Sequence, residues 1–224
     1  MLWVVASVIV LLNSFETPTE VAKAQPNQVR LERVSQHASH GQYALRAEFQ
    51  VAPYPSLVFR LGQGFSDGDW RPFGGLALDV ANPDDEPITL HLRVDDDPAA
   101  DGQWHSRTGR AIIPPKSQVT AAMPFRRIVP LGMRGGPPML PNSVAMTTYG
   151  AELDYSRIVA FQIFLANLSR PRVLFLDNLR LIPTLHGKAS LTAKVKAVQN
   201  IHAQVYATLG STKSLSQKGG NQQQ

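Results

Sequence analysis

Residues 88–95 read Ile-Thr-Leu-His-Leu-Arg-Val-Asp, and this stretch decides the fold class. Apolar side chains occupy every second position and polar side chains stand between them, which is the period of a β-strand with one buried face. The turn-forming run Asn82-Pro83-Asp84-Asp85 ends just before it. The pattern therefore predicts a strand that projects His91, Arg93 and Asp95 together toward solvent.

Short apolar runs of the same kind recur from about Val29 to Ile182, separated by Pro, Gly, Asp and Asn. They predict further strands at Tyr43–Val51, Ser56–Leu61, Leu76–Val80, Arg110–Ile113, Val119–Met123, Ile158–Leu165 and Val173–Leu181. The last two are nearly continuous apolar runs, so we expect them to be central. Eight or nine strands would form an all-β sandwich, with no helix longer than one turn before the tail. The long segment Pro124–Asp154, rich in Pro, Gly and Met, is predicted to be a functional or capping loop.

Composition narrows the functional classes. With 224 residues, of which 43% are hydrophobic, the chain can bury one real core. Seventeen Pro and sixteen Gly, with only 17% charged residues, favour turn-rich β structure over charged helices. Cysteine is absent, which excludes disulfide frameworks, thiolate metal sites and cysteine nucleophiles. The sequence also contains no phosphate-binding glycine loop and no serine nucleophile elbow.

The positive charge is confined to the end of the chain. The net charge is +5, but residues 1–177 hold sixteen Lys and Arg against seventeen Asp and Glu, a balance of −1. Residues 178–224 hold six Lys and Arg and no acidic residue. The body therefore lacks the basic, aromatic-rich face of a nucleic-acid-binding protein, and we predict no nucleic-acid partner.

The tail itself predicts one amphipathic helix, at about 190–209, and a disordered end. Its apolar stripe has steps of three and four and consists of Leu191, Val195, Val198, Ile201, Val205 and Leu209. Such a basic helix packs on its own domain, begins a linker, or contacts a membrane surface or a protein partner. We divide the chain into residues 1–12, 13–183 and 184–224.

The apolar start, Met1–Leu12, is too short to span a bilayer but has the length of a signal-peptide core. It lacks a preceding Lys or Arg, and Glu16 and Glu20 separate it from the cleavage-like Ala22–Ala24. Two interpretations stay open: a leader, which would make the protein extracellular or periplasmic, and a first strand or truncated start.

Several separated segments together resemble a known kind of module. They are Asn13–Glu16, Ser39–Arg46, Trp70–Phe73 leading into Leu76–Pro83, Leu92–Gly102, Phe161–Leu165 and Leu176–Leu181. In order and spacing they resemble the galactose-binding-like jelly rolls, most closely the accessory domain that precedes the catalytic barrel in agarase-like glycoside hydrolases. The resemblance covers roughly residues 13–182 and implies a non-catalytic polysaccharide-binding module, free-standing or a fragment. After Leu181 the sequence departs from the pattern, because the tail is far shorter than the ~250 residues of a catalytic barrel.

Saccharide binding requires a flat aromatic side chain for stacking and planar polar groups for hydroxyls. Trp104, in a polar loop, is the best aromatic candidate, followed by Tyr54 and Tyr149, whereas Trp70 is predicted to be core. The complete predicted carbohydrate site is His91, Arg93, Asp95, Trp104, His105, Arg107 and Gln162. The alternative is an ordinary polar outer face.

The resemblance also implies one structural calcium, for which Glu16 and Asp177 would supply hard oxygen ligands. The alternative is that Asp177 only accepts hydrogen bonds from backbone amides. The acidic loop Asp95–Gly102 fails as an EF-hand, because Ala99 and Ser106 stand at ligand positions.

Two other functions stay open. The same sandwich could act as a protein-interaction scaffold, which an exposed apolar patch around Met133–Met146 would favour. It could also be a polysaccharide lyase, which requires His105, Arg107 and Tyr149 to converge.

Overall fold

A computed structural model describes residues 9–125 and 142–183 of the chain. Within these ranges it has one short helix, α1 at Pro18–Ala22, and thirteen strands. The strands are β1 Val10–Asn13, β2 Gln25–Asn27, β3 Val29–Val34, β4 Ala44–Phe49, β5 Ser56–Arg60, β6 Phe73–Asn82, β7 Ile88–Asp95, β8 Ser106–Ile113, β9 Ser117–Pro124, β10 Ser143–Ala145, β11 Thr147–Gly150, β12 Ala160–Phe164 and β13 Arg172–Pro183. The all-β prediction is confirmed. The predicted tail helix lies outside the described residues.

The strands form two sheets. The seven-stranded sheet has the order β10-β9-β6-β13-β4-β3, with β1 pairing on β13, and the six-stranded sheet has the order β11-β8-β7-β12-β5-β2. Among the described strands, only the β9–β10 pair is parallel. The two strands predicted to be central are so: β13 lies between β6 and β4, and β12 lies between β7 and β5.

The core lies between the inward faces of the two sheets. Its largest fully buried side chain is Trp70, which confirms the prediction that this tryptophan is structural. The Trp70 ring stacks on Phe125 at a centroid distance of 5.7 Å, and its Nε1 donates to the carbonyl of Asp67 at 2.9 Å. Phe59 and Phe161 stack at 4.7 Å nearby. The hydrogen bond allows the indole to be buried without leaving its donor unpaired.

The predicted count of eight or nine strands is wrong, because short strands carry too few residues to show a period. The sequence pattern missed β2, β3, β10 and β11, of which three have only three or four residues. β1 overlaps the end of the apolar start, for which a first strand was one of the interpretations left open. It also missed α1, which has five residues and so slightly exceeds one turn. Its start is marked by a capping box, in which Thr17 and Glu20 bond each other's backbone N–H.

The seven-stranded sheet carries a half-buried carboxylate on its outer face. Asp79 of β6 accepts hydrogen bonds from Thr120 Oγ1 at 2.6 Å, Asn178 Nδ2 at 2.8 Å and Arg180 Nη1 at 3.0 Å. Burial raises the pKa of Asp79, but the hydrogen bonds from Thr120 and Asn178 and the charge of Arg180 outweigh it, so the pKa is lowered. One side chain thus ties β6 to both of its neighbours.

We predict that Asp79→Asn destabilises the fold at pH 7 by about 2 kcal/mol, since it removes charged acceptors from this network. Because the folded pKa is lowered, the stabilising contribution is present above the unfolded value of ~3.9 and is lost as pH falls through the folded pKa. Urea unfolding should therefore show a smaller gap between wild type and variant at low pH than at pH 7. Asp85→Asn, at a largely exposed side chain, is the control and should change little. An equal gap for Asp79→Asn at both pH values would contradict the prediction.

Candidate carbohydrate-binding face

The outward side chains of three adjacent strands meet on the six-stranded sheet. In the register between β7, β12 and β5, Arg93 lies beside Gln162, and the next outward pair is Asp95 beside Ala160. Ala160 in turn lies opposite Arg60 of β5. Inward and outward side chains alternate along each strand, so Arg93, Asp95, Gln162 and Arg60 reach the same surface.

These side chains line a cleft of about 500 Å³. The loop between β7 and β8 contributes Asp97, Pro98 and Ala100 to its wall. Two arginines, Arg60 and Arg93, face two aspartates, Asp95 and Asp97, so the charges lining the cleft balance. A cleft of this kind offers planar hydrogen-bonding groups without a net field that would select a charged ligand.

Arg93 is held firmly within the cleft. Its Nε donates to Asp95 Oδ1 at 2.6 Å, and its Nη2 donates to the carbonyl of Ala100 at 3.1 Å. With the amide oxygen of Gln162 turned toward the guanidinium, that oxygen accepts from Nε at 3.2 Å and Nη1 at 3.1 Å. The Gln162 amide nitrogen is then free to donate to a ligand.

Asp95 is the carboxylate on which this arrangement rests. Its Oδ1 accepts from Ser106 Oγ at 2.8 Å as well as from Arg93. Burial raises the pKa of Asp95, and the hydrogen bonds from Arg93 and Ser106 only partly oppose that rise. The ion pair is thus partly desolvated, with 18% of the Arg93 side chain exposed.

The loop that follows β7 lines the cleft with Asp97, Pro98 and Ala100 and also carries Trp104. Trp104 is 67% exposed, as its polar surroundings in the sequence predict. The Asp101 carboxylate accepts from the backbone N–H of Gln103 at 2.9 Å and of Trp104 at 2.7 Å. Next to it, His105 has a φ of 57° and lies 2.9 Å through Nδ1 from Asp96 Oδ1. The indole is therefore exposed while its backbone is fixed.

Two more exposed aromatic side chains flank the same face. Tyr149 of β11 lies opposite Thr108 of β8 and is half exposed. Tyr54 packs edge-on against Phe164 with a centroid distance of 6.2 Å. The Phe164 ring stacks on His91 at 4.6 Å.

His91 shares the face with Arg93 but lies under the aromatic cluster. It is only 8% exposed, and its Nδ1 has no hydrogen-bond partner among the described residues. Burial, and then the charge of Arg110, lowers the pKa of His91. A neutral imidazole stacked on Phe164 supports Tyr54 rather than reaching a ligand itself.

Arg107 is not brought to the cleft, because it points to the other side of the sheet. It lies opposite Val94, whose side chain is in the core, and it is itself buried. Its Nη2 donates to Thr148 Oγ1 at 2.9 Å. Tyr149 follows Thr148 in β11 and faces outward. His105, Arg107 and Tyr149 therefore do not converge as a lyase site requires.

Arg60 and Asp97 line the cleft but are absent from the predicted carbohydrate site. The signal was available, because Arg60 lies two residues after Val58 in β5 and alternation places both outward. Arg60 Nε donates to Gln25 Oε1 at 3.1 Å at the edge of the sheet.

The two predicted calcium ligands both accept hydrogen bonds from the backbone of one loop, which connects β3 and β4. Glu16 accepts from the backbone N–H of Gln42 at 3.0 Å and of Tyr43 at 2.9 Å. Asp177 accepts from the backbone N–H of Ser39 at 2.6 Å and of His40 at 2.8 Å. Gly41 (φ +74°) packs so closely on the Glu16 carboxylate that a methyl group there would collide with it.

Both carboxylates accept backbone amide hydrogens at oxygens that would also coordinate a cation. The described residues contain no group of three or more His, Asp or Glu that could hold a metal ion. Asp177 does accept hydrogen bonds from backbone amides, as the alternative to a metal site expects. Burial raises the pKa of Asp177, and these hydrogen bonds only partly oppose the rise. The calcium site stays a prediction.

We predict that Asp177→Asn lowers the free energy of unfolding by about 2 kcal/mol in EDTA, because the amide contacts exist without a metal. Chemical denaturation in EDTA and in calcium measures the loss, with Asp67→Asn at an exposed loop position as the control. A calcium-dependent gain in stability that Asp177→Asn abolishes would support the metal site. No loss in EDTA would contradict the structural role assigned to these contacts.

Comparison with known proteins relates the chain to an agarase. No protein-family model matches the chain. A stretch of 153 residues is 30% identical to Beta-agarase B of Vibrio sp. (strain JT0107), covering 61% of this chain and 16% of that protein. The chain is similar to part of an agarase. It therefore spans about a sixth of the length of this curated relative.

Solved structures show the same fold. An exo-β-agarase matches with a TM-score of 0.61 and 18% identity, over 78% of this chain and 24% of that one. A family 11 carbohydrate-binding module from Clostridium thermocellum, in complex with a β-1,3-1,4-mixed-linked tetrasaccharide, matches with a TM-score of 0.53 and 18% identity. The match covers 81% of this chain and 99% of that module. The jelly-roll fold and the resemblance to agarase accessory regions and carbohydrate-binding modules are confirmed.

Proposed function

We propose that the domain is a non-catalytic accessory module that binds a polysaccharide on the outer face of its six-stranded sheet. One observation carries the proposal: the loop that walls the charge-balanced cleft of Arg60, Arg93, Asp95, Asp97 and Gln162 also carries the exposed Trp104. The similarity to part of a β-agarase and to a module solved with a bound tetrasaccharide supports the same function.

The mechanism is reversible docking. The apolar C–H face of a sugar ring stacks on Trp104, because a flat aromatic ring offers a large contact area at a low entropic cost. Sugar hydroxyls pair with the Gln162 amide nitrogen and with the partly exposed carboxylate of Asp97 at the cleft wall. Tyr54 and Tyr149 extend the stacking surface to either side. Since the lining charges balance, the ligand need not be acidic.

The polysaccharide proposal includes an extracellular or periplasmic location, where such ligands are found. No helix within residues 9–125 and 142–183 has the length and apolar character needed to cross a bilayer. The predicted protein contact through the basic tail concerns residues outside the described part of the chain. The absence of a nucleic-acid partner stays a prediction based on charge.

The scaffold alternative has less support from the described residues. It depends on an exposed apolar patch at Met133–Met146, and Met146 is buried. The other methionines of that patch, Met133 and Met139, lie outside the described residues.

Affinity electrophoresis in gels containing agarose, xylan or β-glucan tests the binding proposal. We expect the wild type to be retarded by at least one polysaccharide and Trp104→Ala to bind about tenfold more weakly, because it loses the stacking surface. Leu11→Ala, at an exposed apolar side chain of β1 in the other sheet, is the matched control and should migrate as the wild type. Unretarded migration of the wild type in all three gels, or equal retardation of Trp104→Ala, would contradict the proposal.

A further inference from the structure

We propose that Arg93 is a positioning residue, which acts on a bound saccharide through Trp104 by fixing the loop of residues 96–105 to the sheet. The effect on saccharide binding rests on the proposed function, whereas the fixing of the loop by Arg93 does not. The sequence pattern alone groups Arg93 with the residues that contact sugar. The contacts of its guanidinium point instead to a bond between strand and loop.

One side of the guanidinium faces the loop. Nη2 donates to the carbonyl of Ala100 at 3.1 Å, three residues after Asp97 in the loop. A methyl group on Gly102 would lie 3.3 Å from Nη1, so the loop backbone passes directly over the guanidinium. Gly102 has a φ of +95°, a conformation that a residue with a side chain rarely adopts. The loop is thus shaped around Arg93.

The other side of the guanidinium faces the sheet. Nε donates to Asp95 Oδ1, and the same oxygen accepts from Ser106 Oγ. Ser106 is fully buried, and its Oγ accepts from the backbone N–H of Gly102 at 3.1 Å. One carboxylate therefore supports both bonds that hold the loop, one through Arg93 and one through Ser106.

These two bonds hold the tip of the loop that carries Trp104, while the bond from the Asp96 N–H to the His105 carbonyl closes its base. Within the described residues, Arg93 and Ser106 are the only side chains of the sheet that hydrogen-bond to the backbone of residues 97–104. The remaining contacts of this segment are internal turns, such as Asp101 with the N–H of Trp104. A rigid turn leads from Gly102 to Trp104, so freeing the turn would free the indole.

Arg93 also has little capacity left for a ligand. Asp95, Ala100 and Gln162 engage N–H groups on all three of its nitrogens. Arg60, in the same cleft, is exposed and among the described residues is engaged through Nε alone, with Gln25. Arg60 is therefore the matched control. A lysine at position 93 could not reach all three partners, because an ammonium group lacks the planar fork.

The first test measures the loop without any saccharide. Hydrogen exchange of the Gly102 and Trp104 amides should become about tenfold faster or more in Arg93→Met and Arg93→Lys. Arg60→Met should leave exchange unchanged. Exchange that is unaltered in both Arg93 variants would overturn the positioning role, whether or not the protein binds a polysaccharide.

The second test is a double-mutant cycle on affinity, using whichever of the three gels retards the wild type. Arg93→Met should weaken binding about tenfold in the wild type but less than about twofold in the Trp104→Ala background, because both changes remove the same contact. An equal loss in both backgrounds would show direct contact between Arg93 and sugar and overturn the inference. If the wild type binds none of the three polysaccharides, the proposed function fails, while the exchange result still decides whether Arg93 fixes the loop.

Discussion

The two-residue period of β7 determines both faces of the six-stranded sheet. Leu90, Leu92 and Val94 are fully buried, so the side chains between them must face outward. A register slip of one residue would bury Arg93 and Asp95 and expose three leucine or valine side chains. Burial of the apolar side chains of β7 stabilises the sandwich, and the same burial directs the polar side chains of this strand outward. The pairing of β12 beside β7 then adds Gln162 at the height of Arg93.

In the proposed function, the Arg93–Asp95 pair supports the binding face. An exposed ion pair contributes little to stability, but this one is largely buried and shares its carboxylate with Ser106. Its bonds reach the loop backbone at Ala100, and Ser106 reaches Gly102. The same short network that satisfies a buried carboxylate thus holds the loop that carries Trp104. In the proposed function, one set of contacts serves both stability and recognition, which is how rigid binding sites limit the entropic cost of binding.

Sequence reasoning succeeded for the features that apolar spacing and burial determine. These are the strand at residues 88–95, the central position of β13 and the structural role of Trp70. It failed for Arg107, because β8 was predicted to begin only at Arg110. The inward direction of Arg107 follows from its pairing with Val94, which the predicted strand did not include. The bonds to Ala100 and Gly102 could not be predicted at all, since backbone atoms carry no residue-type signal. The same limit applies to the bonds of Asp177 with the Ser39 and His40 amides, which lie 138 and 137 residues away.

Chemical-shift mapping with soluble agarose or β-glucan oligosaccharides tests the central claim most directly, because it reports every backbone amide at once. Binding on the outer face of the six-stranded sheet predicts that the largest shifts cluster at Arg93, Gln162 and residues 102–105. It also predicts that the outer face around Asp79 stays unchanged. Shifts concentrated on the seven-stranded sheet, or no saturable shift with any oligosaccharide, would contradict the assignment of this face as the binding site.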